Sequence, residues 1–309
     1  MPRAEALFGK YDPALRGMMN IVKAYAILST MWFIFSALAG LLYTGESLLQ
    51  RHFLRKQKDA WAFSFFYSLV GTVVSFPFML ASPVVPHSVG PWLVTLLVGL
   101  LIVGNNLLLL KAANHVEASV IGTLFKLKFV WIFALSIVLL GSTFAWAKLW
   151  GVMLTIAAGL VILHRFKRPK DNAGVSYVLM ATVLNALVII ASKYLLRYFN
   201  APSLTFFASF LPALLLNFIL MPKAVVRIKS MFAMDWKVVF GICALGAMTN
   251  LVLNQALSLH DPTSVIIISE VFLVLVLAGE HIVLKEKERL WIKLCSIVLA
   301  VAGAILMQL

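Results

Sequence analysis

Six charged side chains interrupt stretches that are otherwise apolar: Glu46, Lys126, Lys128, Lys193, Glu270 and Glu280. At the centre of a lipid-embedded helix a charge costs about 2.5–3.5 kcal/mol on insertion scales. It therefore faces a partner or a wet cavity, where acids and bases can carry protons or bind a polar cargo. Glu46 and Lys193 stand only about four or five residues from the ends of their apolar stretches, where reaching out to the interface is an equally good account. Lys126 and Glu270 lie deeper, roughly 10–12 Å in at 1.5 Å per residue. A lysine stem can reach several ångströms outward and glutamate is shorter, so Glu270 points more strongly to function. Lys126 and Lys128 are two residues, about 200°, apart on an α-helix and are expected on different faces. Lys126 is favoured as the inward one by the internal repeat described below.

Uncharged polar residues extend the pattern. Asn105 and Asn106 correspond to Asn250 in the second half of the chain, and Asn254 follows Asn250 at i+4, on the same face. Four amides could hydrogen-bond a substrate, or could hold helices together at about 0.6 kcal/mol per bond in membranes. Trp32 and Tyr43 could line the same space or simply pack. Catalytic constellations are lacking: there is no G-x-S-x-G elbow, H-E-x-x-H pair or P-loop. No two of the six histidines have i, i+4 spacing for a metal, and Cys243 and Cys295 lie in apolar runs without ligand spacing. No enzyme activity, metal or cofactor is expected.

The elements that must position these residues follow from composition. Of 309 residues 62% are hydrophobic and 12% charged, and mean hydropathy is +0.98. Soluble proteins carry roughly 45–50% and 25%, so lipid is the solvent. The net charge of +14 would suggest nucleic acid in a soluble chain. Here the basic residues cluster in short loops, where they orient the chain and meet anionic lipid. No nucleic-acid partner is expected. Apolar windows long enough to cross a bilayer fall at 26–50, 60–81, 91–112, 118–140, 145–164, 175–198, 203–221, 237–259, 263–284 and 289–308. A β-barrel would instead alternate polarity in short pieces. The fold class is an all-α integral membrane protein of ten spans. Residues 1–25 form a mixed tail rather than a cleavable leader, because the first apolar run is too long for one.

The halves repeat. Glu46-Ser47-Leu48-Leu49 lies over Lys193-Tyr194-Leu195-Leu196, Phe65-Phe66 over Phe206-Phe207, Ser119-Val120-Ile121 over Ser264-Val265-Ile266, and Ala158-Gly159 over Ala302-Gly303. Residues 26–166 and 167–309 thus form two five-span units, joined at the charged stretch Arg165–Asp171. An odd number of spans forces the second unit to enter the bilayer upside down, an inverted repeat of the kind that supplies two interconvertible conformations. Within it Glu46 aligns with Lys193, and Lys126 with Glu270, each pair reversing sign. Topology puts Glu46 with Lys126 toward one end and Lys193 with Glu270 toward the other, so each end is expected to own an acid–base pair that closes it.

Five plus five spans resemble the EamA-type members of the drug/metabolite transporter superfamily, over about residues 26–308. The resemblance is carried by the closing stretch Leu284-Lys285-Glu286-Lys287-Glu288-Arg289-Leu290 through Ala302-Gly303-Ala304-Ile305-Leu306. There a Lys-Glu pair ends one helix and a late glycine marks the next. The first copy keeps Gly159 but has Gly141-Ser142 in place of the acidic residue, and neither the fourth nor the ninth span carries the mid-helix proline frequent in the family. The resemblance implies a secondary-active exporter or exchanger of a small metabolite, amino acid or drug, working by alternating access in the cell (inner) membrane. Expected partners are the small-molecule substrate, membrane lipid and a coupled proton on Glu46 or Glu270, with the chain a monomer or homodimer. A non-transporting assembly or lipid-handling subunit is the competing reading. Lys and Arg concentrate in the loops opposite the N-terminal side, which favours external termini, whereas the family resemblance implies internal ones.

Overall fold

A computed structural model describes residues 30–47, 49, 59–112, 115, 121, 124–163, 172–232, 236–270, 298–299, 302–303 and 306. The sequence features at Glu280, Arg165–Asp171, Ser119-Val120, Cys295 and 284–290, and the N-terminal tail, lie outside them. All regular structure among the described residues is helical. The elements are α1 (30–47), α2 (Ala60–Ala81), α3 (Val89–Ala112), a 3₁₀ turn (Phe125–Leu127) leading into α4 (Lys128–Leu140), α5 (Trp146–Leu163), α6 (Asn172–Leu195), α7 (Ala201–Leu220), the short α8 (Ala224–Phe232), α9 (Trp236–Leu259) and α10, whose described part is 262–270. Five of them (α2, α3, α6, α7 and α9) are long and apolar enough, among the described residues, to cross a membrane.

Helix ends follow local chemistry. Asp59 caps α2 by accepting the Ala62 N–H, and Asn200 caps α7 by accepting the Ser203 N–H at 3.0 Å. The Asn200 amide also donates to the Ser82 carbonyl at 2.6 Å, pinning the loop after α2 to the start of α7. Gly141 ends α4 in the left-handed region, φ 68°, where a side chain is disfavoured. Inside the helices, hydroxyls turn inward to their own backbone: Ser36 donates to the Trp32 carbonyl, Thr44 to Gly40 and Ser75 to Gly71. Lipid offers no hydrogen bonds, so a polar side chain is tolerated when it bonds locally. Proline stands inside α2 at Pro77, and in α7 it coincides with a change of helix type. Pro212 has no N–H for the carbonyl one turn earlier, and residues 205–210 of α7 widen into a π turn just before it.

The three larger of four apolar cores among the described residues hold most of the bundle. One joins α1, α4, α5, α6, α9 and α10 through Trp32, Phe129, Ile132, Ile190, Leu257 and Ile267. A second binds α2 to α9 around Phe63, Phe66 and Ile242. The third binds α3 to α6 and α7 around Val98, Leu195 and Leu204. The longest contact runs between α3 and α6; α2 packs on α9, and α7 on α3 and α2. Gly99 lets Pro212 approach so closely that a Cβ there would sit 2.6 Å from it. The outer surface is apolar as well: Val138, Ile219, Val89 and Trp146 are each more than two-thirds exposed. Water would penalise that surface and lipid does not.

Candidate functional site

Polar chemistry inside the bundle falls into three places. The first is an ion pair between α4 and α10. Lys128 Nζ lies 2.7 Å from Glu270 Oε1, with side-chain exposures of 7% and 10%. The ammonium also rests against two rings, 4.6 Å from the Phe125 centroid and 5.7 Å from that of Phe129. Lys126, half-buried on the 3₁₀ turn, lies within electrostatic range of both Glu270 and Lys128. Lys128, not Lys126, therefore meets Glu270. The expectation that Lys126 would be the inward lysine rested on its alignment with Glu270 in the repeat, and the α-helical spacing used to separate the two lysines does not hold on this turn. A 3₁₀ turn has 3.0 residues per turn, so two residues advance about 240° and the two stems diverge by about 120° rather than about 160°.

The second place lies between α1, α2 and α9. Glu46 is buried, and its carboxylate is hydrogen-bonded by the Tyr67 hydroxyl. Asn250 Nδ2 donates to that same hydroxyl oxygen at 3.4 Å and to the Gly246 carbonyl at 2.9 Å. Gly246 is the residue that makes room, since a Cβ there would lie 2.5 Å from the Tyr67 hydroxyl oxygen and 2.7 Å from Glu46 Oε1. One turn on, Asn254 Nδ2 donates to Thr205 Oγ1 at 2.9 Å, within the π turn of α7. Asn250 and Asn254 do share a face of α9, but they serve different neighbours. On α3, Asn105 donates to Asn106 at 3.5 Å, and its own buried Oδ1 meets no partner among the described residues.

The third place closes one end of the bundle. Lys193, near the end of α6, donates to the Leu257 carbonyl at 2.5 Å and the His260 carbonyl at 2.9 Å, capping the C-terminus of α9. Asp261, next in the chain, receives Lys148 Nζ at 3.4 Å and the Ser142 hydroxyl at 3.4 Å, and accepts the N–H of Ser264 at the start of α10. The His260 ring lies on Trp32 of α1, with centroids 4.1 Å apart. Burial holds its imidazole below the usual histidine range; Asp261 opposes this, and Lys148 and Lys193 reinforce it. At the opposite end Arg227 of α8 pairs with Asp59 at 2.8 Å.

The described residues thus form neither of the ion pairs expected from the repeat, Glu46 with Lys126 and Lys193 with Glu270. Glu46 has a phenol instead, Lys193 a helix terminus, and Glu270 the neighbouring lysine. Tyr67, Lys148, Thr205 and His260 join the candidate set. Asp261 joins it too, and it alone carries a visible sequence signal, the Asp261-Pro262 dipeptide that starts a helix.

Two stretches, residues 30–164 and 172–309, each match the EamA-like transporter family, and the chain belongs to that family. It is a membrane protein of a transporter family, built from two copies of one unit. Among solved structures, the crystal structure of a protein 16% identical in sequence superposes with a TM-score of 0.67, over 90% of this chain and 98% of its own, and so shares the fold. A comparison with curated proteins gives no match.

Proposed function

We propose that the protein is a secondary-active transporter that moves a small metabolite, amino acid or drug by alternating access. It acts as an exporter or exchanger in the cell (inner) membrane, from two five-span repeats inserted in opposite senses. The observation that carries this reading is the pair of family matches, which cover the chain almost end to end as two copies. The packing supports it. The second span rests on the eighth (α2 on α9) and the seventh on the third (α7 on α3), and the repeat exchanges these two contacts. Two copies related in this way can exchange roles, so a conformation open to one side has a counterpart of similar energy open to the other.

In this reading the end formed by Trp32, Lys148, Lys193, His260 and Asp261 is a gate. Its hydrogen bonds link α5, α6, α9 and α10, the Trp32–His260 ring contact adds α1, and water entering there would compete for each hydrogen bond. The amides on α3 and α9 face the substrate. Glu46 is the proton carrier, because its partner is a neutral hydroxyl that can serve the carboxylate and, by rotating, the acid.

Flux of labelled candidate substrates into sealed proteoliposomes, with and without an imposed proton gradient, tests both parts. Uptake that concentrates substrate only while the gradient lasts is the expected result. Uptake indifferent to the gradient removes the proton coupling. An intact bundle that moves no member of a broad metabolite panel removes transport and favours an assembly or lipid-handling role.

A further inference from the structure

Among the described residues, the charges between α4 and α10 do not balance. Two ammonium groups, Lys126 and Lys128, face one carboxylate, Glu270, so these three described residues carry a formal charge of +1 among apolar helices. Lys128 is engaged, at 2.7 Å from Glu270 and between two phenylalanine rings. Lys126 is half-buried and hydrogen-bonds no described residue. An unmatched buried charge is costly and calls for a counter-ion. The backbone is irregular at the same point, where the 3₁₀ turn Phe125–Leu127 precedes α4 and the Lys128 N–H turns back to the Phe125 and Lys126 carbonyls. At membrane depth such breaks are tolerated where the backbone is buried in protein or lines a cavity, and transporters use them to hold substrates.

We propose that Lys126, Lys128 and Glu270 form the docking site for a small organic carboxylate. The proposal deepens the transport reading, and rests on it, by assigning the substrate a single negative charge at the docking end. A monoanion at Lys126 brings the cluster to neutrality. A cation would raise its charge to +2, a neutral ligand would leave it at +1, and a dianion would overshoot to −1. The Lys128–Glu270 pair adjusts the hold. Lys128 can turn part of its field to the incoming carboxylate while Glu270 remains as competitor, so the anion is attracted yet can leave. Lys126 is then the specificity-determining residue, and Glu270 the group that rejects doubly charged ligands.

The test is binding to the purified full chain in detergent, read by thermal unfolding and calorimetry. Its probes are small carboxylates (acetate, benzoate, phenylacetate, pyruvate), the amide and amine matched to each shape, and the dianions succinate and phthalate. At least one monocarboxylate should bind with at least tenfold preference over its amide and amine. Lys126→Gln should weaken it about tenfold or more, and Lys126→Arg, which keeps the charge, by no more than about threefold. Glu270→Gln should narrow the preference for monoanions over dianions. Unfolding of each variant without ligand separates misfolding from lost binding.

The proposal falls if no carboxylate binds, if amides or amines bind as well, or if Lys126→Gln binds carboxylates unchanged. It also falls if phosphatidylglycerol in mixed micelles is the only Lys126-dependent ligand, which would make the site a lipid headgroup contact. Flux of the bound carboxylate is measured separately in proteoliposomes. Binding without flux overturns transport and leaves the docking site standing, whereas flux unaltered by Lys126→Gln overturns the docking site alone.

Discussion

Glu46 and Glu270 are both less than a tenth exposed among apolar helices, yet their surroundings differ in kind. Glu270 faces an ammonium at 2.7 Å, so two opposite charges are buried against each other. Glu46 faces the Tyr67 hydroxyl, with Asn250 behind it. A charged partner makes removal of either group expensive, because the survivor remains buried and uncompensated. A neutral hydroxyl makes no such demand, since it can accept a hydrogen bond as readily as donate one. Depth in the bundle alone therefore does not assign a role to an acidic residue; the partner does.

The largest expected effect tests the charged side of this contrast. Glu270→Gln should lower unfolding stability in detergent by about 3–5 kcal/mol, because Lys128 is stranded. Lys128→Met combined with Glu270→Leu should recover most of it. Glu46→Gln keeps an acceptor for Tyr67 and should cost under about 1 kcal/mol. Equal losses for the two glutamates would break the comparison.

Next in size is Gly246→Ala. The Glu46 carboxylate could swing away from the new methyl, but the Tyr67 ring is packed near Phe63 and Phe210. A loss of about 1–3 kcal/mol is expected, read by the same unfolding assay. Tyr67→Phe is milder at about 1 kcal/mol, one net hydrogen bond, and should disturb proton-coupled flux more than stability. A Tyr67→Phe variant with unchanged pH dependence of flux would argue against Glu46 as the proton carrier.

The smallest effect belongs to the closed end and serves as a control for both. Because burial keeps His260 below its usual range, the unfolded chain takes up a proton near pH 6.5 while the folded chain resists. Stability should fall modestly as pH drops through that window and level off above it. His260→Gln should flatten the slope, and should do so equally with Glu46 or Glu270 intact or replaced.

Much of the scaffold was readable because hydrophobic runs and breakers mark their own limits. The span expected at 60–81 is α2 to the residue, and those at 91–112 and 237–259 begin within two residues of α3 and α9. Failures began where the helix is not regular. Lys126 was chosen over Lys128 on its repeat alignment with Glu270, which carries no information about the local 3₁₀ turn, and nothing in Leu124-Phe125-Lys126-Leu127 announces that turn. The short α8 falls between the expected spans 203–221 and 237–259, its nine residues being too few to stand out. Sign-reversed alignment of Glu46 with Lys193 identified positions that do matter locally, but not their partners. A repeat relates backbones, whereas a hydrogen bond depends on side-chain reach. Tyr67 went unnoticed because a phenol in an apolar run looks like packing until its hydroxyl is located.

The Lys128–Glu270 contact also bears on how the chain is made. The two residues are 142 positions apart, and at about 5–20 residues per second the ribosome needs roughly 7–28 s to pass from one to the other. Throughout that interval the nascent helix carrying Lys128 must wait in or beside the membrane with no counter-charge of its own yet synthesised. It can stay near the headgroups, where its ammonium remains hydrated, and settle to full depth once Glu270 emerges. The final seating of α4 is thus a late event in biogenesis, timed by a residue in the second half of the protein.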